Sequence, residues 1–181
     1  VTQFGYDALG NQVKITDDNG AKTHSYYDEY SRLIASVDAE NYYTEFVRDV
    51  VGNVLTTRIY AQALVGSLGN TLPSAPTATP AEDRVFFQTF DKNGKRLTET
   101  AANGSVRYFE YDSVGLLRKQ TETAATDTAA RNRTVDLTDK LLSWNWDVAG
   151  RLIGFTNVDG VTETYTYDAA GNRLSETIHN P

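Results

Sequence analysis

The chain contains no cysteine and no methionine, only two histidines and four prolines, and its cations are outnumbered, 17 against 24 acidic residues. Each shortage excludes something. Without cysteine there is no disulfide framework, no thiol nucleophile and no thiolate metal site. The net charge of −7 argues against nucleic acid and against anionic membrane as partners, because both demand a cationic surface. No stretch approaches the roughly 18 apolar residues of a membrane-spanning helix, and the first residues lack the basic-then-apolar layout of a secretion signal. The absence of methionine, even at position 1, reads as a segment cut from a longer polypeptide. With 23% charged and 40% hydrophobic residues the 181-residue chain has the composition of a folded protein.

What the chain does have is a repeat. Asp7, Asp28 and Asp49 stand 21 residues apart, and the same interval separates Asp91 from Asp112 and Asp147 from Asp168. The residue before each Asp is Tyr6, Tyr27, Arg48, Phe90, Tyr111, Trp146 or Tyr167, aromatic in six of seven cases. Three residues after each Asp come Gly10, Ser31, Gly52, Gly94, Gly115, Gly150 and Gly171. Asp at the first position of a β-turn bonds the backbone two residues on, and Gly at the fourth accepts a positive φ. The unit therefore reads as a type I turn closed by glycine, a common hairpin connection. A polar residue and then an apolar one follow, as in Asn11 to Val13 and Asn172 to Leu174, which is the entry to the next strand.

A second turn lies half a period on, where Gly20, Asn41, Gly104 and Gly160 stand 13 residues after the motif Asp. Nine of the 13 glycines thus fall in turns, which leaves two strands of about six or seven residues per unit. Those strands alternate: Thr162, Thr164 and Thr166 share one face, Tyr165 and Tyr167 the other, as a half-buried pleat requires. No window sustains a helical period. The expected fold is all-β, with antiparallel hairpin repeats of 21 residues forming a curved, solenoid-like sheet over a single region, 1–181.

Two insertions break the period, both in place of the second turn. Asp49 to Asp91 is 42 residues, placing an insertion at about 61–83, and its Pro73, Pro76 and Pro80 predict a loop. Asp112 to Asp147 is 35, placing another at about 123–139, Ala/Thr-rich and open to a short helical turn.

Tyr27-Asp28, Tyr111-Asp112, WDVAGRL at 146–152 and YDAAGNRL at 167–174 closely resemble the YD repeat of the RHS family, which includes bacterial RHS effectors, Tc toxin shell subunits and teneurins. The resemblance implies part of the wall of a hollow β-shell, which in bacterial members encloses a C-terminal toxin. It implies a bacterial protein, secreted or at the cell surface, whose partners are the rest of its own polypeptide, meaning further repeats and C-terminal cargo. Bacterial shells usually carry an autoproteolytic core with Asp-Pro motifs. This chain has no Asp-Pro step, so no catalytic residue carries over.

The local alternatives are weaker. A Tyr-Asp pair suits acid/base chemistry, but a catalytic site occurs once and these pairs recur; stacked tyrosine ladders with Asp fixing each turn explain them without chemistry. The motif residues, Tyr6, Asp7, Gly10, Tyr27, Asp28, Asp49, Gly52, Phe90, Asp91, Gly94, Tyr111, Asp112, Gly115, Trp146, Asp147, Gly150, Tyr167, Asp168 and Gly171, are read as structural. His24 and His179 lie far apart with no companion ligands. Asp17, Asp18 and Asn19 lack calcium-loop spacing, and Gly66 to Gly69 lacks the lysine of a phosphate loop. No metal, no cofactor and no catalytic residue are expected. Trp146-Asp147 suggests a propeller blade, but the Gly-His partner signature is missing and the 14-residue offset would fall inside a blade.

Three functions remain: shell wall, an extracellular module binding glycan or protein, or part of an enzyme whose catalytic machinery lies elsewhere. A shell predicts an aromatic face shielded by its neighbours and no single pocket. A binding module predicts a localised aromatic patch near an insertion. Unpaired outer strands predict self-association.

Overall fold

The computed structural model describes residues 1–123 and 139–181. The described residues hold 14 strands and no helix, and neighbours in the sheet are neighbours in the chain. The strands are β1 (Gln3–Tyr6), β2 (Gln12–Thr16), β3 (Lys22–Tyr27), β4 (Leu33–Val37), β5 (Tyr42–Arg48), β6 (Val54–Ala63), β7 (Arg84–Phe90), β8 (Arg96–Thr100), β9 (Val106–Tyr111), β10 (Leu117–Glu122), β11 (Lys140–Trp146), β12 (Leu152–Thr156), β13 (Thr162–Tyr167) and β14 (Arg173–His179). Every registered pair is antiparallel, from Phe4 opposite Ile15 to Tyr165 opposite Glu176. This is the antiparallel hairpin array that the turn spacing predicts. The short helical turn considered near 123–139 lies outside the described residues.

The hairpins form because each Asp-x-x-Gly turn is chemically complete within five residues. In the first, Gly10 donates its N–H to the Asp7 carbonyl at 3.2 Å and Asp7 donates to the Asn11 carbonyl at 3.0 Å. The closing residue takes up a left-handed φ, and where serine or asparagine replaces glycine the value persists, at 59° for Ser31 and 68° for Asn41. Asparagine tolerates that region better than most residues, so Asn41 is the expected substitute. After the turn the register slips by one between Gly5 and Tyr6, and again between Tyr26 and Tyr27 and between Asn145 and Trp146. These are the bulges that accompany a three-residue hairpin loop.

The chain divides into two compact units, Val1–Gln88 and Thr89–Pro181. Among the described residues, the buried apolar cluster belongs to the first: Tyr26, Ala35, Val37, Tyr43 and Tyr60, all on one face of β3 to β6. Burial raises the tyrosine hydroxyls of Tyr26, Tyr43 and Tyr60 above their usual range. The cover on this face is the connection from β6 to β7. Leu64 and Leu68 pack against the cluster, Leu64 donates its N–H to the Asn41 carbonyl at 2.9 Å, and the Tyr26 hydroxyl donates to the Gly69 carbonyl at 3.2 Å.

Beyond Leu68 the connection has no ladder, but its half-buried positions are Pro73, Pro76 and Thr79, with exposed residues between. Proline, with its fixed φ and no N–H, keeps such a segment out of a ladder. The segment ends in a clasp. The Asp83 carboxylate accepts from Arg58 Nη1 at 2.9 Å, the Ala61 N–H at 3.0 Å, the Thr79 N–H at 3.1 Å and the Thr79 hydroxyl at 2.9 Å. These bonds, led by the one from Ala61, hold its carboxyl below the usual range. The proline-rich connection is thus a fastened cover.

His24 lies in the same unit, 5% exposed, and its Nδ1 has no hydrogen-bond partner. Lys14 and Val37 stand opposite it, and Lys22 and Tyr26 flank it on its own strand. Burial first, then the charges of Lys14 and Lys22, push its pKa below the ordinary 6.5. As pH falls through 6.5 the unfolded chain takes up a proton that the folded chain resists, so stability present above that pH declines below it. The expected result is a urea midpoint that drops from neutral to mildly acid pH in the parent chain. In His24→Leu that drop is smaller; equal drops in both would assign it to other groups.

Candidate functional site

The positions that repeat are the candidate site, and the structure gives each a definite task. The motif carboxylate works as a fork. Its Oδ1 accepts the N–H four residues on in all seven turns, at 2.8 to 3.0 Å. In six turns a bond to Oδ1 from the N–H two residues on is also present, for example Leu9 to Asp7 at 2.9 Å. The second oxygen accepts a side chain four residues on: Asn11, Arg32, Asn53, Arg151 and Asn172, at 2.7 to 2.9 Å. Sequence reasoning marked these positions only as polar, and their role as the fourth arm of the turn was missed.

The same bonds hold the carboxyls of Asp7, Asp28, Asp49, Asp147 and Asp168 below the ordinary 3.8. The Asn11, Asn53 and Asn172 amides lead for Asp7, Asp49 and Asp168, and the Arg151 N–H leads for Asp147. At Asp28 desolvation opposes the shift, and the Arg32 N–H and guanidinium outweigh it. A depressed carboxyl contributes stability that is present above 3.8 and lost as pH falls through the folded value. These five turns are therefore intact through neutral and mildly acid conditions.

The aromatic partner of each Asp ties its unit to the one before. The hydroxyls of Tyr27, Tyr111 and Tyr167 donate to the carbonyls of Gln12, Arg96 and Leu152, each 15 residues back, at 3.2, 3.0 and 2.8 Å. Trp146 Nε1 reaches the equivalent carbonyl of Leu117 at 2.7 Å, 29 residues back because the insertion intervenes. Arg48, the one non-aromatic member, does the same work: its Nε and Nη2 donate to Leu33 O at 3.1 and 3.0 Å, and its Nη1 to Gly52 O at 2.8 Å. Phe90 has no donor to offer, and Tyr6, 59% exposed, donates to no described residue.

The expected stacked tyrosine ladder is corrected. The ring pairs among the described residues are Tyr43 with Tyr60 and Trp144 with Phe155, both at 5.6 Å, and neither joins two motif aromatics. The reason is spacing. Motif aromatics recur on every second strand, about 9.5 Å apart, beyond the 4.5 to 7 Å (approximately) of a ring pair. Long cations fill that gap instead. The Arg151 guanidinium lies 4.9 Å from the Tyr167 ring centre and its Nη1 donates to the Asp168 carbonyl at 3.1 Å. Lys95 Nζ lies 5.1 Å from the Tyr111 ring centre and donates to the Gly115 carbonyl. The same lysine crosses a hollow of about 610 Å³ lined by Leu97, Phe109 and Tyr111, so the hollow's cation is already engaged.

These ties make Arg48 a direct test of the pattern. Arg48→Ala is expected to cost about 1.5–3 kcal/mol, the range for hydrogen bonds from a charged donor. Arg48→Tyr restores a hydroxyl aimed at Leu33 O and is expected to recover about 1 kcal/mol of that loss in urea unfolding. Equal losses in the two variants would show that the position ties nothing.

The remaining candidates separate cleanly. His179 ends β14, fully on the surface, strands away from His24. Asp17 closes an ordinary turn, its Oδ1 accepting from Asn19 N and Ala21 N at 2.9 and 2.8 Å. Among the described residues no three His, Cys, Asp or Glu side chains gather where they could hold a metal. The aromatic patch beside the first insertion exists, but Tyr26, Tyr43 and Tyr60 are only 5, 4 and 6% exposed beneath their cover. Rings so enclosed offer no face to a sugar.

Residues 146–180 match the family model described as RHS Repeat. Residues 146–180 carry the RHS repeat. That stretch spans the turns at Asp147 and Asp168, the Trp146 and Tyr167 ties and the Arg151 bridge, so the RHS repeat coincides with the fullest set of lateral bonds. No curated protein matches the sequence. Among solved structures, TcdB2-TccC3-TEV is similar with a TM-score of 0.71 at 16% identity, covering 98% of this chain and 9% of that one. TcdB2-TccC3-Cdc42 is similar at 0.55 and 17%, and TcdB2-TccC3 without its hypervariable C-terminal region at 0.56 and 18%; this chain spans about a tenth, 10%, of each. At such identities the likeness is one of fold: the RHS repeat here builds the same antiparallel sheet as those larger proteins.

Proposed function

We propose that this chain is wall material, one stretch of the β-shell of a larger exported bacterial RHS-type protein, which encloses a C-terminal toxin or effector. Residues 1–181 are then one repeat region, with insertions at about 61–83 and 123–139. The motif residues are structural, and the segment performs no catalysis. The observation that carries this reading is the recurring tie, from Tyr27, Arg48, Tyr111 and Tyr167, to the carbonyl 15 residues earlier. A bond made by translation along the chain stabilises units only through their neighbours, as in other repeat arrays, and such an array extends rather than closing on an active site. The fold likeness to TcdB2-TccC3 proteins, of which this chain would be about a tenth, supports the same view.

The test is limited proteolysis of the full-length protein followed by mass spectrometry of its C-terminal region. Under the wall reading that region survives while a denatured control is digested. If it is cut as fast as an exposed tail, enclosure fails, and a glycan and protein binding screen on this segment takes its place.

A further inference from the structure

The second unit is a single sheet whose two faces have opposite chemistry. Reading across the registered pairs of β8 to β14, one face presents Thr98, Ser143, Thr156, Thr164 and Ser175, with Thr121 buried beside Tyr108 and Leu141. Their hydroxyls are partly satisfied by one another. Thr156 lies 3.2 Å from Thr162 and Thr166 lies 2.6 Å from Ser175, oxygen to oxygen, and Thr98 meets Thr89 of β7 at 2.7 Å. The charged pair on this face, Glu110 and Lys119, is internally neutral, with Lys119 Nζ 3.2 Å from the carboxylate. The other face carries rings and full charges, together with the exposed side chains of Ile153 and Ile178. Arg96 donates to Glu99 at 2.8 Å, Arg107 bridges Glu99 and Glu122 at 3.4 and 3.0 Å, and guanidiniums lie over Phe109 and Tyr165 at 5.6 and 5.4 Å from the ring centres.

We infer that the hydroxyl face of this unit is the one turned toward the enclosed polypeptide, and the guanidinium–carboxylate face the one turned to solvent. This rests on the wall reading given above. An unfolded chain exposes apolar side chains and unpaired backbone groups. An aromatic wall would adsorb the first, and a charged wall would select among sequences by sign. Hydroxyls that already bond one another compete weakly for backbone groups, and a face of zero net charge neither attracts nor repels. Such a surface tolerates cargo without holding it. The roofed rings and linked ion pairs opposite are suited to salt water, where exposed charge maintains solubility.

The experiment places single cysteines on adjacent, oppositely directed positions of the full-length protein: Thr164→Cys and Ser175→Cys on one face, Glu163→Cys and Glu176→Cys on the other. Each intact variant is treated with a long polyethylene-glycol maleimide and scored by peptide mapping, with labelling after denaturation as the control for reactivity. The expected result is loss of labelling at positions 164 and 175 and full labelling at 163 and 176. The reverse pattern overturns the assignment of faces and leaves the wall reading standing. Equal labelling of all four sinks both, since neither face is then enclosed. Protection of all four also overturns the inference, because the charged face would not meet solvent.

Discussion

Tyr43→Ala is expected to destabilise the first unit by about 3–5 kcal/mol, the range for removing a buried aromatic ring. A loss of that size is a large share of the roughly 5–15 kcal/mol that holds a domain folded. Tyr43 is 4% exposed, meets Tyr60 edge to face at 5.6 Å and stands opposite Val37, itself fully buried. Its neighbour Tyr42 points to the other side of β5 and is 40% exposed. Tyr42→Ala is expected to fall within about 0.5–1 kcal/mol of the parent. Urea unfolding followed by circular dichroism compares the two. Closely similar midpoints would mean that the proline-rich connection does not seal a core, and the account of that cover would fall with them.

The second large effect is expected at Gly115. Its φ is +92°, and a Cβ there would sit 1.5 Å from Lys95 Nζ. Gly115→Ala therefore pays twice. The left-handed backbone costs about 1–2 kcal/mol for any residue with a Cβ. The displaced ammonium also leaves the Gly115 carbonyl and the Tyr111 ring, adding about 1 kcal/mol after allowance for water taking its place. Gly171→Ala, at φ +89° with nothing within 4 Å of the added atom, pays only the first. The difference isolates the tie between successive turns. A double-mutant cycle with Lys95→Met checks it: once the ammonium is gone, the two alanine variants are expected to cost the same. Should the gap persist without Lys95, neither contact with its ammonium explains it, and the account of the tie falls.

Both predictions bear on the array as a mechanical object. In a sheet of hairpins the ladder joins adjacent strands, but nothing in the ladder itself joins one Asp-x-x-Gly turn to the next, two strands away. Lys95 and Arg151 link one turn to the next, and the hydroxyls of Tyr27, Tyr111 and Tyr167 fasten the strand entering one turn to the strand leaving the turn before it. At Phe90 the aromatic donor is lost, and the tie its turn makes is the forward one, from Lys95 to the Gly115 carbonyl.

The turns were legible because their chemistry is local. Asp, two arbitrary residues, and Gly or a tolerant substitute satisfy one another within five positions, and that pattern survives in one dimension. Ser31 and Asn41 obey it without being glycine. Strand alternation was legible for the same reason, since successive residues of a pleat face opposite ways wherever the strand lies. The acceptor of each tyrosine was not. It is a backbone carbonyl, present at every residue, and no side chain marks Gln12, Arg96 or Leu152 as the one reached. Nor did residue type announce that Arg48 substitutes for a tyrosine, because the equivalence is of donor position and not of shape. The stacked ladder failed on strand spacing, a distance fixed only once the strands are laid side by side.

The sequence by itself thus determined the repeat, the Asp-x-x-Gly turns, the second turns at Gly20, Asn41, Gly104 and Gly160 and the all-β class, each a matter of short-range hydrogen bonding and φ. The tertiary structure alone decided what crosses from unit to unit and what is covered. Leu64 and Leu68 close over Tyr26, Tyr43 and Tyr60, and Asp83 fastens the connection to Arg58 and Ala61. Those contacts join residues far apart in the chain, and burial depends on which surfaces the folded sheet brings together.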